Sequence, residues 1–125
     1  MALEITAQAS LGLQRSASLV LQATGTATPT QTGTKGLSNY VNVTTTATPL
    51  SFTGLGSVAY LFIKNESAVQ VQLAMTNTNF ATEYFAALNQ NDVCLIPMNR
   101  TPAPAIVYAK VASGSTNIFV AAVEV

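Results

Sequence analysis

Apolar and polar residues alternate along much of the chain, and this alternation is the pattern of β-strands. In residues 68–75 the apolar side chains of Val69, Val71, Leu73 and Met75 occupy every second position, with glutamines and a small alanine between them. Such a segment predicts an antiparallel strand with one buried and one exposed face. Helical periodicity is hard to find, so we expect a protein made almost entirely of strands.

Two segments differ from this simple alternation because they are apolar at every position. They are residues 58–63 and 118–123. A strand of this composition presents apolar side chains on both of its faces, whereas an antiparallel sandwich strand normally keeps one face polar. We therefore expect both faces of these two strands to be covered, one by the core and the other by a further surface.

Short polar segments separate the predicted strands. Asn65-Glu66-Ser67 and Ser113-Gly114-Ser115 have the composition of tight turns. On this basis we predict one hairpin over residues 57–75 and a second over residues 105–125. Residues 83–88 fit either a short strand or one helical turn.

Threonine occupies every second position from Thr24 to Thr34, with glycines and a proline interleaved. A strand with a threonine face could order water as ice-binding surfaces do, but those surfaces need many stacked rows and this chain supplies one. We therefore interpret residues 24–36 as a threonine-rich loop or edge segment.

The strands are short, evenly spaced and separated by turn residues. Their number is about eight, and a chain of 125 residues accommodates one domain. We predict a single all-β domain over residues 1–125, an antiparallel β-sandwich with the jelly roll as its specific arrangement.

Charge is scarce in this chain. Five Lys and Arg balance five Asp and Glu, so charged residues make up 8% of the sequence, against about 25% in typical soluble domains. Without an excess of basic residues we expect no nucleic-acid partner, since phosphate neutralisation dominates that affinity. No apolar run exceeds six residues, so we expect neither a signal peptide nor a membrane partner.

Candidate chemistry is equally scarce. Histidine is absent, and the single Cys94 has no histidine to activate it, so we interpret Cys94 as a core residue. Glu83 and Asp92 could form a glycosidase-like pair, but Asp92 ends an Asn-rich turn and can accept a hydrogen bond from a backbone amide there. We expect no catalytic residue, no metal and no cofactor, and we do not expect an enzyme.

Aromatic and basic residues leave two alternatives open. Tyr40 and Tyr84 could serve as platforms for a sugar, whereas Tyr60 lies in a strongly apolar strand and suits a core or an interface. Lys64 and Lys110 lie among apolar neighbours, where a lysine either guards a sheet edge or contacts an acidic partner.

The order of motifs in the C-terminal part resembles that of small tailed-bacteriophage virion proteins. In these proteins a strand ending in Lys/Arg-Asn leads into a Val-rich strand, an acidic residue opens a short strand, and Tyr-Ala-Lys precedes a terminal apolar strand. The corresponding segments here are Val58–Asn65, Val69–Leu73, Asp92–Pro97, Ile106–Lys110 and Ile118–Val125. The resemblance covers residues 57–125, and the usual Pro-Gly-Glu turn is replaced by Asn89-Gln90-Asn91-Asp92.

The resemblance implies a β-sandwich or jelly-roll subunit on the outer capsid surface of a virion, made in the host cytoplasm. Its most fitting role is that of a decoration (cement) protein, whose partner is the lattice of the major capsid protein. The alternative is a glycan-binding adhesin or fibre-tip module, which would expose aromatic residues around a groove.

The strands that are apolar on both faces also predict self-association, as a homotrimer or a homodimer. We expect the interfaces with the lattice and with other copies to use these strands, the two lysines and the threonine-rich segment. The candidate interface residues are Tyr60, Phe62, Lys64, Lys110, Phe119, Thr26, Thr28 and Thr30.

Overall fold

The computed structural model describes residues 6–15, 18–27, 36–52, 54–55, 58–78, 80–98 and 106–124. These residues contain ten strands and one helical turn. In chain order the elements are β1 (Ala7–Arg15), β2 (Ser18–Ala27), β3 (Gly36–Thr44), β4 (Thr48–Leu50), β5 (Val58–Lys64), β6 (Val71–Ala74), α1 (Phe80–Glu83), β7 (Tyr84–Leu88), β8 (Val93–Pro97), β9 (Val107–Val111) and β10 (Ser115–Glu124).

The strands form two four-stranded antiparallel sheets and a separate two-stranded ribbon. The first sheet has the order β3-β10-β5-β8, the second has the order β4-β9-β6-β7, and the ribbon consists of β1 and β2. Four of the pairs are nested in sequence: β3 pairs with β10, β4 with β9, β5 with β8 and β6 with β7. Two further pairs, β10 with β5 and β9 with β6, complete the four-stranded sheets.

The two four-stranded sheets pack face to face around one hydrophobic core. Leu61, Ile63 and Ile118 of the first sheet and Leu73 and Val111 of the second are at most 1% exposed and belong to the same cluster. Along β5 and β9, buried and half-buried residues alternate strictly, as expected of strands whose inner face meets the core. The prediction of an all-β antiparallel sandwich is confirmed. The described part holds ten strands rather than about eight.

Both predicted hairpins are wrong. β5 lies in the first sheet and β6 in the second, so the turn at residues 65–70 is a corner between the sheets. β9 and β10 are likewise in different sheets, joined by the corner at residues 112–114. Alternation shows which side of a strand faces the core, but it carries no information about the sheet to which the strand belongs.

Two segments of ambiguous pattern are settled by the structure. The turn α1 covers residues 80–83 and the strand β7 follows directly. Residues 83–88 therefore contain the last residue of α1 and all of β7. The strand predicted for residues 68–75 is shorter, because β6 spans Val71–Ala74 and a register shift follows Leu73. Val71 and Leu73 are fully buried as predicted, whereas Val69 and Met75 are exposed.

One buried amide holds the corner between β5 and β6. The Asn65 side chain is fully buried, and its Nδ2 donates to the carbonyl oxygens of Val69 at 2.8 Å and Leu88 at 2.9 Å. Its Oδ1 accepts a hydrogen bond from the Ser67 amide at 3.1 Å. The Asn65 side chain therefore satisfies two carbonyls and one amide where no strand does so.

The backbone of Asn65 joins this corner to the turn between β7 and β8. Its amide donates to the Asp92 carbonyl at 3.0 Å, and its own carbonyl accepts from the Asn91 amide at 2.6 Å. Asn91 has a φ of 69°, a left-handed conformation that asparagine tolerates better than most residues. Two corners that are distant in sequence are thus fixed to each other at one end of the sandwich.

We predict that replacing Asn65 destabilises the fold strongly. Asn65→Ala leaves buried carbonyls unpaired at about 1–3 kcal/mol each, so we expect the free energy of unfolding to fall by about 2–4 kcal/mol. Asn65→Asp turns a carboxylate toward the same carbonyls and should be at least as harmful at neutral pH. Denaturant titration followed by circular dichroism measures both.

The matched control is Asn89→Ala, because the Asn89 side chain only accepts an exposed hydrogen bond from Gln70. We expect that control to cost less than about 1 kcal/mol. Equal destabilisation by Asn65→Ala and Asn89→Ala would show that the buried amide has no special role.

Candidate interaction surface

The solvent side of the first sheet carries a continuous set of apolar side chains. Residues directly opposite each other on neighbouring strands share a face, and the register places Phe119 between Tyr40 and Lys64, and Phe62 between Ala121 and Leu95. We call this surface the outer face. Its residues are Tyr40, Tyr60, Phe62, Lys64, Leu95, Phe119, Ala121 and Val123.

The outer face exists because β5 and β10 are apolar at nearly every position and lie side by side. Their inner residues, such as Leu61 and Ile63, are buried in the core. Their outer residues, such as Phe62 and Phe119, are only partly buried. The chain therefore covers one side of these strands completely and the other side incompletely.

Three aromatic rings group on the half of the outer face formed by β3, β10 and β5. The ring centroids of Tyr40 and Phe119 are 5.5 Å apart at an interplanar angle of 65°, and those of Phe62 and Phe119 are 6.3 Å apart at 68°. Such edge-to-face contacts are favourable. Tyr40 is nevertheless 55% exposed, so its ring is available to a partner.

A small polar network lies next to these rings. The Tyr40 hydroxyl donates to Glu66 Oε2 at 3.1 Å, and Lys64 Nζ forms an ion pair with Glu66 Oε1 at 3.1 Å. The hydrogen bond from Lys64, and after it that from Tyr40, lowers the pKa of the Glu66 carboxyl. The hydrogen bond to Glu66 raises the pKa of the Tyr40 hydroxyl. The charges of Lys64 and Glu66 therefore compensate each other within the chain.

The other half of the outer face is bordered by the two-stranded ribbon. A groove of about 230 Å³ lies between them, lined on the ribbon side by Ala7 and on the sheet side by Tyr60, Leu95 and Val123. A second groove brings Ala9 and Gly25 of the ribbon near the same part of the sheet. The ribbon thus lies over the part of the outer face formed by β5, β8 and the adjacent end of β10, which we call the β5–β8 half.

The sequence-predicted interface residues divide into four groups. Tyr60, Phe62, Lys64 and Phe119 lie together on the outer face. Thr26 is exposed on the ribbon strand β2 and lines the second groove, while Lys110 lies on the second sheet with its ammonium 5.9 Å from the centroid of the buried Phe80 ring.

The last two candidates, Thr28 and Thr30, lie outside the described residues. Within the threonine-rich segment 24–36, the described residues Thr24 to Ala27 belong to β2.

The interpretation of Lys64 and Lys110 as guards of sheet edges is wrong. Lys64 lies on β5 and Lys110 on β9, and both are inner strands of their sheets. An apolar neighbourhood looks the same in sequence for an edge strand and for the outer side of an inner strand. Lys64 instead pairs with Glu66, and Lys110 lies over an aromatic ring.

The residues considered for chemistry take structural positions. Asp92 Oδ2 accepts a hydrogen bond from the Asn89 amide at 2.8 Å, as the interpretation of a turn residue predicts. Cys94 packs against the core, and burial raises the pKa of its thiol. Among the described residues no group of three or more His, Cys, Asp or Glu could hold a metal ion, and no helix there is long and apolar enough to cross a membrane.

Two parts of this surface were missed by sequence reasoning. The role of Glu66 follows from the fixed corner after Asn65, which brings the carboxylate to Tyr40 although the two residues are 26 positions apart. The pairing of β1 with β2 was not predicted, because alanine and glycine give a weak apolar signal. The alternation of Ala7, Ala9 and Leu11 was the available signal.

Comparison with known proteins adds no identification: no family model, no curated protein and no solved structure matches the chain.

We predict that the Tyr40 hydroxyl reports on the polar network. Glu66→Gln removes the carboxylate that raises the Tyr40 pKa, so we expect that pKa to move down toward its ordinary value of 10.0. Site-resolved NMR titration of the tyrosine ring measures the shift. Glu83→Gln is the control, since Glu83 is not among the causes of the Tyr40 shift, and an unchanged Tyr40 pKa in Glu66→Gln would contradict the network.

Proposed function

We propose that the chain is a structural subunit of a virion, a decoration protein that binds the capsid lattice and stabilises the phage head. The observation that carries this proposal is the half of the outer face around Tyr40 and Phe119. The rings of Tyr40 and Phe119 pack against each other there, are partly exposed and line neither of the grooves that the ribbon borders. A sheet face of this kind is typical of a surface that another protein covers.

The strand order supports the more specific arrangement of a jelly roll. Strands β3 to β10 pair as first with last, second with second-last and so on to β6 with β7. These nested pairs form one long antiparallel hairpin. When that hairpin is folded so that β5 pairs with β10 and β6 pairs with β9, it gives the two sheets of a jelly roll. Viral capsid domains and lectins use this architecture, so it fits the proposal without being specific to it.

The electrostatics of the surface fit attachment to a repeated lattice. The charges on the outer face, Lys64 and the neighbouring Glu66, are paired with each other. A partner of this face need not supply opposite charges. When one assembly engages several lattice subunits at once, modest neutral contacts suffice, because each further contact forms at high effective concentration.

We predict that the purified protein binds particles that lack it and raises their resistance to heat. Because few ion pairs are available to be screened, occupancy should change less than about threefold between low salt and about 1 M salt. Quantitative electrophoresis of sedimented particles gives the occupancy, and the temperature of genome release gives the stability of the shell. Binding that collapses at moderate salt would contradict neutral attachment.

A matched pair of tyrosine variants tests which face is used. Tyr40→Asp places an unpaired charge at the centre of the proposed contact and should weaken particle binding at least about tenfold. Tyr84→Asp makes the same change at a tyrosine of comparable exposure, 45% against 55%, on the second sheet. We expect Tyr84→Asp to bind as the unmodified protein does, and equal losses in both variants would overturn the assignment.

The alternative function is glycan binding, and the exposed Tyr40 ring is the observation that favours it. An aromatic platform beside the Glu66 carboxylate, with the Asn42 and Asn117 amides nearby on β3 and β10, is the composition of many sugar sites. The test is retention on an array of host-surface glycans. Retention that Tyr40→Ala abolishes, together with no binding to particles, would replace the decoration function by this one.

A further inference from the structure

Among the described residues, the strands of the β1–β2 ribbon form ladder hydrogen bonds only with each other. Neither strand pairs with any strand of the two larger sheets. Residues 22–26 of β2 are all exposed, and Leu11 of β1 is 64% exposed although it is a large apolar side chain. A two-stranded ribbon is marginally stable alone in water, so a ribbon this exposed needs a surface to lie on.

The ribbon has one apolar and one polar face. Its register pairs Ala9 with Gly25 and Leu11 with Ala23, and these residues share one side with Ala7. The opposite side carries glutamine, serine and threonine, as in the pair of Ser10 with Thr24. No charged residue lies on the apolar face among these described positions.

The matching surface is present in the same chain. The ribbon residues Ala7, Ala9 and Gly25, together with Gln8 and Thr26 of the polar side, border grooves whose other wall includes Tyr60 and Leu95 of the outer face. Within one chain this contact is loose, because open grooves remain between the two surfaces. The contact brings small apolar residues of the ribbon near the β5–β8 half of the outer face, and leaves Leu11 exposed for a closer contact.

We propose that the ribbon is an exchange arm, which in solution lies along the β5–β8 half of the outer face of a second copy of the chain. Exchange of an identical element needs no new complementary surface, and a loosely held element leaves its own chain at low cost. Each copy both gives an arm and receives one. In a closed oligomer every ribbon therefore lies on a sheet, and every receiving half is covered by a ribbon. The Tyr40 side of the outer face stays free for another partner.

The size of the contact is that of a weak, reversible assembly. The ribbon strands have 9 and 10 residues, but the receiving strands β5 and β8 have 7 and 5, so the shorter surface sets the area. At about 3.4 Å per residue and about 4.8 Å between strands, the receiving half measures roughly 20 Å by 10 Å, or about 200 Å². Two reciprocal contacts, each burying this area on both copies, amount to about 800 Å², which is the size of a reversible interface.

The test uses one substitution on each of the two surfaces and one control. Leu11→Glu changes the apolar face of the ribbon, Leu95→Glu changes the receiving half of the sheet, and Ser10→Glu places the same charge on the polar face of the ribbon. Sedimentation equilibrium measures the dissociation constant, and circular dichroism verifies that each variant is folded.

We expect the unmodified chain and Ser10→Glu to be oligomeric at micromolar concentration. Leu11→Glu and Leu95→Glu should each weaken association about 100-fold in a dimer, since each of two contacts loses about tenfold. Mixing the two variants should restore part of the association, because the intact ribbon of one chain then meets the intact sheet of the other. A contact between two ribbons would not respond to Leu95→Glu.

Three results would overturn the exchange arm. They are a monomeric unmodified chain, oligomers that Leu11→Glu leaves intact, and oligomers that Leu95→Glu leaves intact. Because these measurements contain no particles, they are independent of capsid binding. A monomer that still binds particles would refute the arm and leave the decoration function in place.

Discussion

The pairing of β10 with β5 is the constraint on which the rest of this structure depends. It places side by side the two strands that are apolar on both faces. Their inner residues then form the centre of the core, with Ile63 and Val120 opposite each other and fully buried. Their outer residues necessarily form an apolar surface, since neighbouring strands of a sheet share their faces. The core and the candidate interaction surface therefore lie on the two opposite faces of the same pair of strands.

A sandwich built in this way depends on its corners, because most consecutive strands belong to different sheets. At a corner the backbone leaves the ladder, and its polar groups need other partners. Asn65 supplies them from a fully buried amide, and its backbone also fastens the turn that contains Asn91. The same corner holds Glu66 beside Tyr40. The geometry of the polar network on the outer face is thus a consequence of a buried amide that no partner touches.

The sequence predicts the strands and their buried sides well, and their pairing poorly. The runs that are apolar at every position located β5 and most of β10, and the alternation in residues 68–75 located the buried Val71 and Leu73 of β6, since side chains on a strand change face at every residue. The turn-like composition of the segments between the strands suggested two hairpins where the chain changes sheets, because a local pattern is independent of the partner strand. Phe62 and Phe119, which the sequence suggests as interface residues, lie together on the outer face. Their neighbour Glu66 could not be found, since its position depends on a hydrogen-bonded corner.

The low charge of the chain lowers the cost of covering the outer face. A buried charge costs several kcal/mol unless its partner is well placed, so a surface that must be covered is best kept free of unpaired charge. Lys64 and Glu66 meet this condition by pairing with each other, and Tyr40 occupies a further acceptor site of the carboxylate. A partner of this face consequently gains from shape and apolar area rather than from electrostatic steering. Such contacts form more slowly but tolerate salt, which is what the proposed attachment to a capsid lattice requires.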